Sequence, residues 1–148
     1  MNKKRILPPT YLFLSIVAMV VLRLVLPVAH IISCPYNLLG AIPIVIGFVV
    51  NVMASNTFDC VGTTVKPFEE SSELVTSGVF RFSRHPMYAG MIALLAGIAV
   101  ILATLAPFLI LIPFIWIMRE FAIVEEKAMD ETFGDAYREY STRVRRWI

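Results

Sequence analysis

The sequence predicts an all-α integral membrane protein. It has four transmembrane helices, the third and fourth in a tight hairpin, followed by a cytoplasmic helical extension. Three observations carry this prediction. The 148-residue chain is 58% hydrophobic. Charged residues make up 16% of it, against about a quarter in soluble domains. The charges are also segregated: residues 6–22, 38–58 and 87–118 contain no Asp, Glu, Lys or Arg. Uncharged apolar runs of about 18 or more residues read as membrane spans.

The first run follows Lys3, Lys4 and Arg5, an order also found in secretory signals. It is too long for a signal core, and no small-residue cleavage site follows, so it is expected to be span one, about residues 7–29. Pro8-Pro9 opens it and Pro27 bends or closes it. Span two is expected at about 37–55. Its Gly40 and Gly47 lie seven residues apart, on one face, where another helix can come close. Residues 56–86 are polar and irregular, and Glu69-Glu70-Ser71-Ser72-Glu73 reads as a solvated loop.

The 87–118 run has 32 residues. As one helix it would measure about 48 Å, too long for a hydrocarbon core of about 30 Å. Two full spans need about 40 residues. Leu105-Ala106-Pro107 offers a turn near its middle. Spans three and four are therefore expected at about 86–105 and 107–124, with the last helix continuing out of the membrane. Gly134 suits the stop of that helix. Asp135 suits the cap of a final one, Ala136 to Arg146.

The positive-inside rule supports this topology. Segments 1–6, 56–86 and 119–148 fall on one side and hold 12 of the 13 basic residues, all except Arg23. Arg23 can snorkel outward. Both termini are therefore expected in the cytoplasm. The pI of 8.7 reflects this asymmetry and no nucleic-acid surface. Cys34 and Cys60 fall on opposite sides and are expected to be unpaired thiols, without metal-ligand spacing to the two histidines. His30, on the outer turn, is given no role. Dinucleotide fingerprint, phosphate-binding loop and nucleophile elbow are all missing from the sequence.

Two polar clusters flank the uncharged hairpin. In the first, Pro86 favours the first helical position and His85 the cap. The free N–H groups of that helix end then face the cytoplasmic interface, ready for an anion. Arg84 adds a bidentate carboxylate donor, and Tyr88 lies over the same face. An interfacial belt would also use Arg, His and Tyr. In the second cluster, Glu125-Glu126 can bind a cation such as an amino group or merely solvate the helix. Placing both acids at one site needs a positive partner. Tyr137 and Tyr140 share a face of the last helix, with Arg143 three residues on. Arg138, Arg145 and Arg146 are expected only to face lipid headgroups.

At these residues the chain resembles the isoprenylcysteine carboxyl methyltransferase family, whose superfamily includes the phospholipid methyltransferases. The core of the likeness is Arg84-His85-Pro86-Met87-Tyr88-Ala89-Gly90. It continues in Glu125-Glu126, Phe133-Gly134, Tyr137, Tyr140 and Arg143-Val144, over roughly 74–146. The resemblance implies a multispan membrane enzyme that uses S-adenosylmethionine. It implies that His85, Tyr88, Gly90, Glu125, Glu126 and Tyr137 bind the cofactor. It implies that Arg84 and Arg143 lie at the methyl-transfer centre. The residue chemistry is compatible with this. A carboxylate wants Arg or a helix N-terminus, an ammonium wants Glu, and a sulfonium is drawn to aromatic faces.

The expected function is methyl transfer to a lipophilic acceptor presented from the bilayer, such as the carboxylate of an isoprenylcysteine-like molecule. Only two spans precede the motif, fewer than in the eukaryotic enzymes, so phospholipid amines stand beside it as acceptors. Two rivals remain. A membrane sterol-type reductase would need Arg81, Arg138, Arg145 and Arg146 as a pocket for the NADPH 2′-phosphate. A non-catalytic adaptor would keep the fold without turnover.

Overall fold

The computed structural model describes residues 7–26, 29–61 and 74–147. Lys3, Lys4, Arg5, Pro27, Lys66 and the Glu69–Glu73 run lie outside the described residues. The secondary structure is helical: α1 Pro8–Val25, α2 Ala41–Val61, α3 Pro86–Leu102, α4 Leu105–Phe133 and α5 Asp135–Arg143. Short 3-10 turns, Tyr36–Gly40 and Gly78–Arg81, precede α2 and α3. The all-α membrane architecture is the one the sequence predicts. Among the described residues, three helices are long and apolar enough to cross a membrane, and α3 is a fourth apolar helix, of 17 residues.

The element boundaries differ from expectation in three places, each for a local reason. The hairpin turns at Ala103–Thr104 and not at 105–107. Ala103 adopts the left-handed conformation (φ 59°), ending α3, and Pro107 then sits in the first turn of α4, where no amide proton is needed. The last helix starts at Asp135, with Gly134 (φ 51°) in the cap position and no side-chain cap. Asp135 is thus the first helical residue, which still suits its charge at a helix N-terminus. That helix ends at Arg143, not Arg146, because Val144 turns extended.

Helix α3 is the centre of the bundle. It packs against α1, α2 and α4, and α1 also packs against α4. The buried apolar cluster comes from α1 (Met19), α3 (Tyr88, Met91, Leu95, Ala99) and α4 (Phe114, Met118, Ala122). Large apolar side chains elsewhere point outward, among them Phe13, Leu24, Phe48 and Trp116. That is the pattern of a helix bundle facing lipid. At the far turn, Ile31 N–H donates to Ala103 O at 3.0 Å, tying the α1–α2 connection to the hairpin tip.

The α2–α3 seam is set by two glycine pairs, Gly40 with Gly97 and Gly47 with Gly90. A Cβ on Gly47 would strike the Gly90 carbonyl oxygen and lie 2.8 Å from Leu94 N. Gly40, at the end of the 3-10 turn, and Gly47 in α2 thus match the seven-residue spacing of Gly90 and Gly97 in α3, so the backbones approach where lipid offers no hydrophobic driving force. Asn51 Nδ2 donates to Gly47 O at 2.8 Å, so this polar group is satisfied at the seam. Gly47→Leu is expected to force α2 from α3 and cost about 1–3 kcal/mol, as overpacking does. Thermal unfolding in detergent micelles checks this; a midpoint equal to that of the unaltered protein contradicts the seam.

Candidate active site at the polar end of the hairpin

Helix α4 has 29 residues, about 43 Å at 1.5 Å each. About 20 of these, to Val124, cross a hydrocarbon core of about 30 Å. Glu125 and Glu126 come next, outside the span. Helix α3 runs antiparallel, and its first residue is Pro86, so His85 caps it at the same level. The His85 side chain makes no cap bond to its own helix. It turns to the two acids instead.

The His85 ring lies between both carboxylates. Nε2 is 3.2 Å from Glu126 Oε1, and Nδ1 is 3.4 Å from Glu125 Oε2. Each ring nitrogen faces an oxygen acceptor, so the geometry suits the doubly protonated imidazolium. The ring stacks on Tyr88, with centroids 5.5 Å apart and planes 4° apart. Tyr88 hydroxyl donates to Glu125 Oε1 at 2.5 Å. Arg84 Nη1 lies 3.5 Å from Glu126 Oε1 and donates to the Tyr137 hydroxyl at 3.2 Å. Arg146 closes the cluster with two bonds of 2.8 Å to the two Glu126 oxygens.

Burial alone would hold the His85 imidazole down. The hydrogen bonds and charges of Glu125 and Glu126 outweigh it and raise the group above its ordinary 6.5. Burial likewise opposes ionisation of Glu126. The hydrogen bonds of His85 and Arg146, with the charges of Arg84 and His85, hold its carboxyl at about 2. Glu126 is therefore a fixed anion in a cationic cage.

Of the residues expected at the site, Arg84, His85, Tyr88, Glu125, Glu126 and Tyr137 converge. Two do not. Gly90 is buried at the α2–α3 seam, against Asn51 and Gly47. Arg143 is 70% exposed and pairs at 2.6 Å with Glu139 on its own helix. Arg146 departs the other way. Read from sequence as a headgroup contact, it is a full member of the cluster. Helical spacing held no signal for it, because it lies past the end of α5 in an extended segment. The only sequence hint was the need of two adjacent acids for a positive partner. Tyr140, on the buried face of α5, donates to Phe80 O at 2.7 Å and anchors that helix to the segment before α3.

His85 binds its proton more tightly in the folded chain than in the unfolded one. Its contribution to stability is therefore full below pH 6.5 and is lost as pH rises through the raised value. The melting-temperature gap between the protein and its His85→Gln variant is expected to be widest at acid pH and to narrow on the alkaline side. A gap that stays constant or widens with pH contradicts the bridging imidazolium.

Most of this cluster lies within a recognised family pattern, with Tyr137 and Arg146 beyond its end. Residues 36–136 match the family model described as phospholipid methyltransferase. No curated protein and no solved structure is significantly similar to the chain. The matched region contains α2, α3 and α4 whole, with both acids and the Arg84–Tyr88 cap. It covers more than half of the sequence, and the chain therefore belongs to the phospholipid methyltransferase family.

Proposed function

We propose that the protein transfers a methyl group from S-adenosylmethionine to a lipid at the cytoplasmic face of the membrane. The observation that carries this is the convergence of His85, Arg84, Glu125 and Glu126 at one end of the hairpin. The orientation rests on the 12 basic residues assigned to that side.

The side chains present suit the cofactor. Arg84 Nε is buried and has no hydrogen-bond partner among the described residues. A buried unpaired guanidinium proton is costly, and a carboxylate would satisfy it. Glu125 and Glu126 supply the negative charge an ammonium group requires. Tyr88 and Tyr137 supply aromatic faces near which a sulfonium is favoured. When bound, S-adenosylmethionine provides an electrophilic methyl group on sulfur. The protein's part is then orientation and exclusion of water, which supply on the order of 7–11 kcal/mol at best.

The family favours a phospholipid amine as acceptor. An attacking amine needs its free lone pair, so an ammonium group must give up a proton before the N–C bond forms. Glu125, at 20% exposure against 14% for Glu126, is the more open acid and the one we assign to take that proton. The reductase reading is weakened by the same geometry. Arg146 is committed to the part-buried Glu126 by two bonds of 2.8 Å, which withdraws it from a 2′-phosphate pocket.

Calorimetry on the detergent-solubilised protein tests the cofactor. S-adenosylhomocysteine is expected to bind, and Arg84→Ala to weaken it by about tenfold or more, the worth of a charge-assisted bond. Binding of NADPH in its place would defeat the reading. Incubating membrane lipids with a labelled methyl donor tests the acceptor, with label expected in an aminophospholipid fraction. Label in an isoprenylcysteine methyl ester would assign the acceptor as a carboxylate.

A further inference from the structure

Residues Val144 to Trp147 follow α5 without helical structure. They run beside the residues that precede α3. Arg84 N–H donates to Arg145 O at 3.0 Å, His85 N–H to Arg146 O at 3.3 Å, and Ser83 hydroxyl to Arg146 O at 3.1 Å. These bonds fix the Arg146 backbone next to His85. Trp147 adds an apolar hold: it packs on the α1–α3–α4 cluster, with its ring 6.4 Å from that of His85.

From this anchored backbone the Arg146 guanidinium reaches Glu126 as a fork. Nε donates to Oε1 and Nη2 to Oε2, each at 2.8 Å. A planar fork on a planar carboxylate fixes its rotation as well as its position, which a point charge cannot do. Oε1 also faces His85 Nε2 at 3.2 Å and Arg84 Nη1 at 3.5 Å. A carboxylate has about four acceptor positions, and Glu126 spends most of them within the protein. Glu125 meets Tyr88 and His85 and is the more open of the two acids.

We propose that Arg146 is a positioning residue of this site: its fork sets the plane of the Glu126 carboxylate, which in turn holds His85 and Arg84, and Glu125 is left to meet the ligand. The ligand's identity here rests on the methyl-transfer reading; the positioning role does not.

The test uses the full chain in detergent micelles, with two readings on Arg146→Ala and Arg146→Lys. The first is the ligand-free titration of His85 by NMR, its signal separated from that of His30 with a His30→Gln background. The groups facing His85 are Glu125, Glu126, Tyr88, Arg84, Arg146 and Trp147. Arg146→Lys keeps the cation but loses the fork, so the Glu126 carboxylate is no longer held in plane against the imidazolium. The titration is therefore expected to move to lower pH in Arg146→Lys. The second reading is S-adenosylhomocysteine affinity, expected to fall about tenfold or more in Arg146→Ala and to stay reduced in Arg146→Lys, which restores the charge without the fork. An arginine that acts by its charge alone leaves the His85 titration of Arg146→Lys where it was in the unaltered protein; that result overturns the proposal. So does unchanged affinity in Arg146→Lys, which decides the matter even if the alanine variant does not fold. If the unaltered protein binds no S-adenosylhomocysteine, the methyl-transfer reading falls and the ligand-free titration alone upholds or overturns the role of Arg146.

Discussion

The polar end of this molecule depends on keeping one carboxylate charged while it is largely withdrawn from water. An ionised carboxylate in such a place is costly unless paired and hydrogen-bonded. Glu126 obtains its three partners from two separate stretches of chain: Arg84 and His85 before the hairpin, and Arg146 after α5. Neither of these stretches could hold the charge alone. Removal of one partner leaves a buried anion short of compensation, and the rest of the cluster is then poorly defined. The same carboxylate thus assembles the site and reports whether it is assembled.

The hairpin makes this meeting possible through unequal arm lengths. Both arms leave the turn at Ala103–Thr104, and α3 ends after 17 residues whereas α4 runs for 29. At equal rise per residue, the start of α3 lies level with about Phe121. Glu125 and Glu126 come one turn further along α4. Side chains on a helix tilt towards its N-terminus, so both acids reach back onto His85. The Tyr140 bond to Phe80 O then folds α5 against the segment leading into α3. The glycine pairs do the corresponding work inside the lipid, where backbone proximity replaces hydrophobic force.

Much of this was legible in the sequence because the bilayer imposes simple rules. Uncharged runs, a proline after a cap residue and the Gly40–Gly47 spacing each have one dominant structural reading. The convergence of His85, Tyr88 and the two acids followed from a hairpin with polar clusters at both feet. Three features were hidden. Gly90 belongs to a motif of polar residues, yet its lack of a side chain serves α2, a contact visible only once the partner helix is placed. Arg143 has the spacing of a site residue, but its helix turns that face to solvent and Glu139 captures it. Arg146 acts from extended chain, whose direction no helical periodicity encodes.

The contrast between Arg143 and Arg146 shows what decides an arginine's role here. Both are long cations near the end of the chain, and both pair with a glutamate. Arg143 pairs within one exposed helix, an arrangement worth a few tenths of a kcal/mol. Arg146 pairs across 20 residues with a glutamate side chain only 14% exposed, from a backbone already bonded to its neighbours. The second pair fixes geometry between segments, and the first only decorates a surface. The family match ends at residue 136, so the helices it covers supply both acids and the His85 cap, and the tail beyond it supplies the cation that locks one acid in place. A site built this way can keep its core chemistry in the hairpin while the chain end sets how rigidly that chemistry is held.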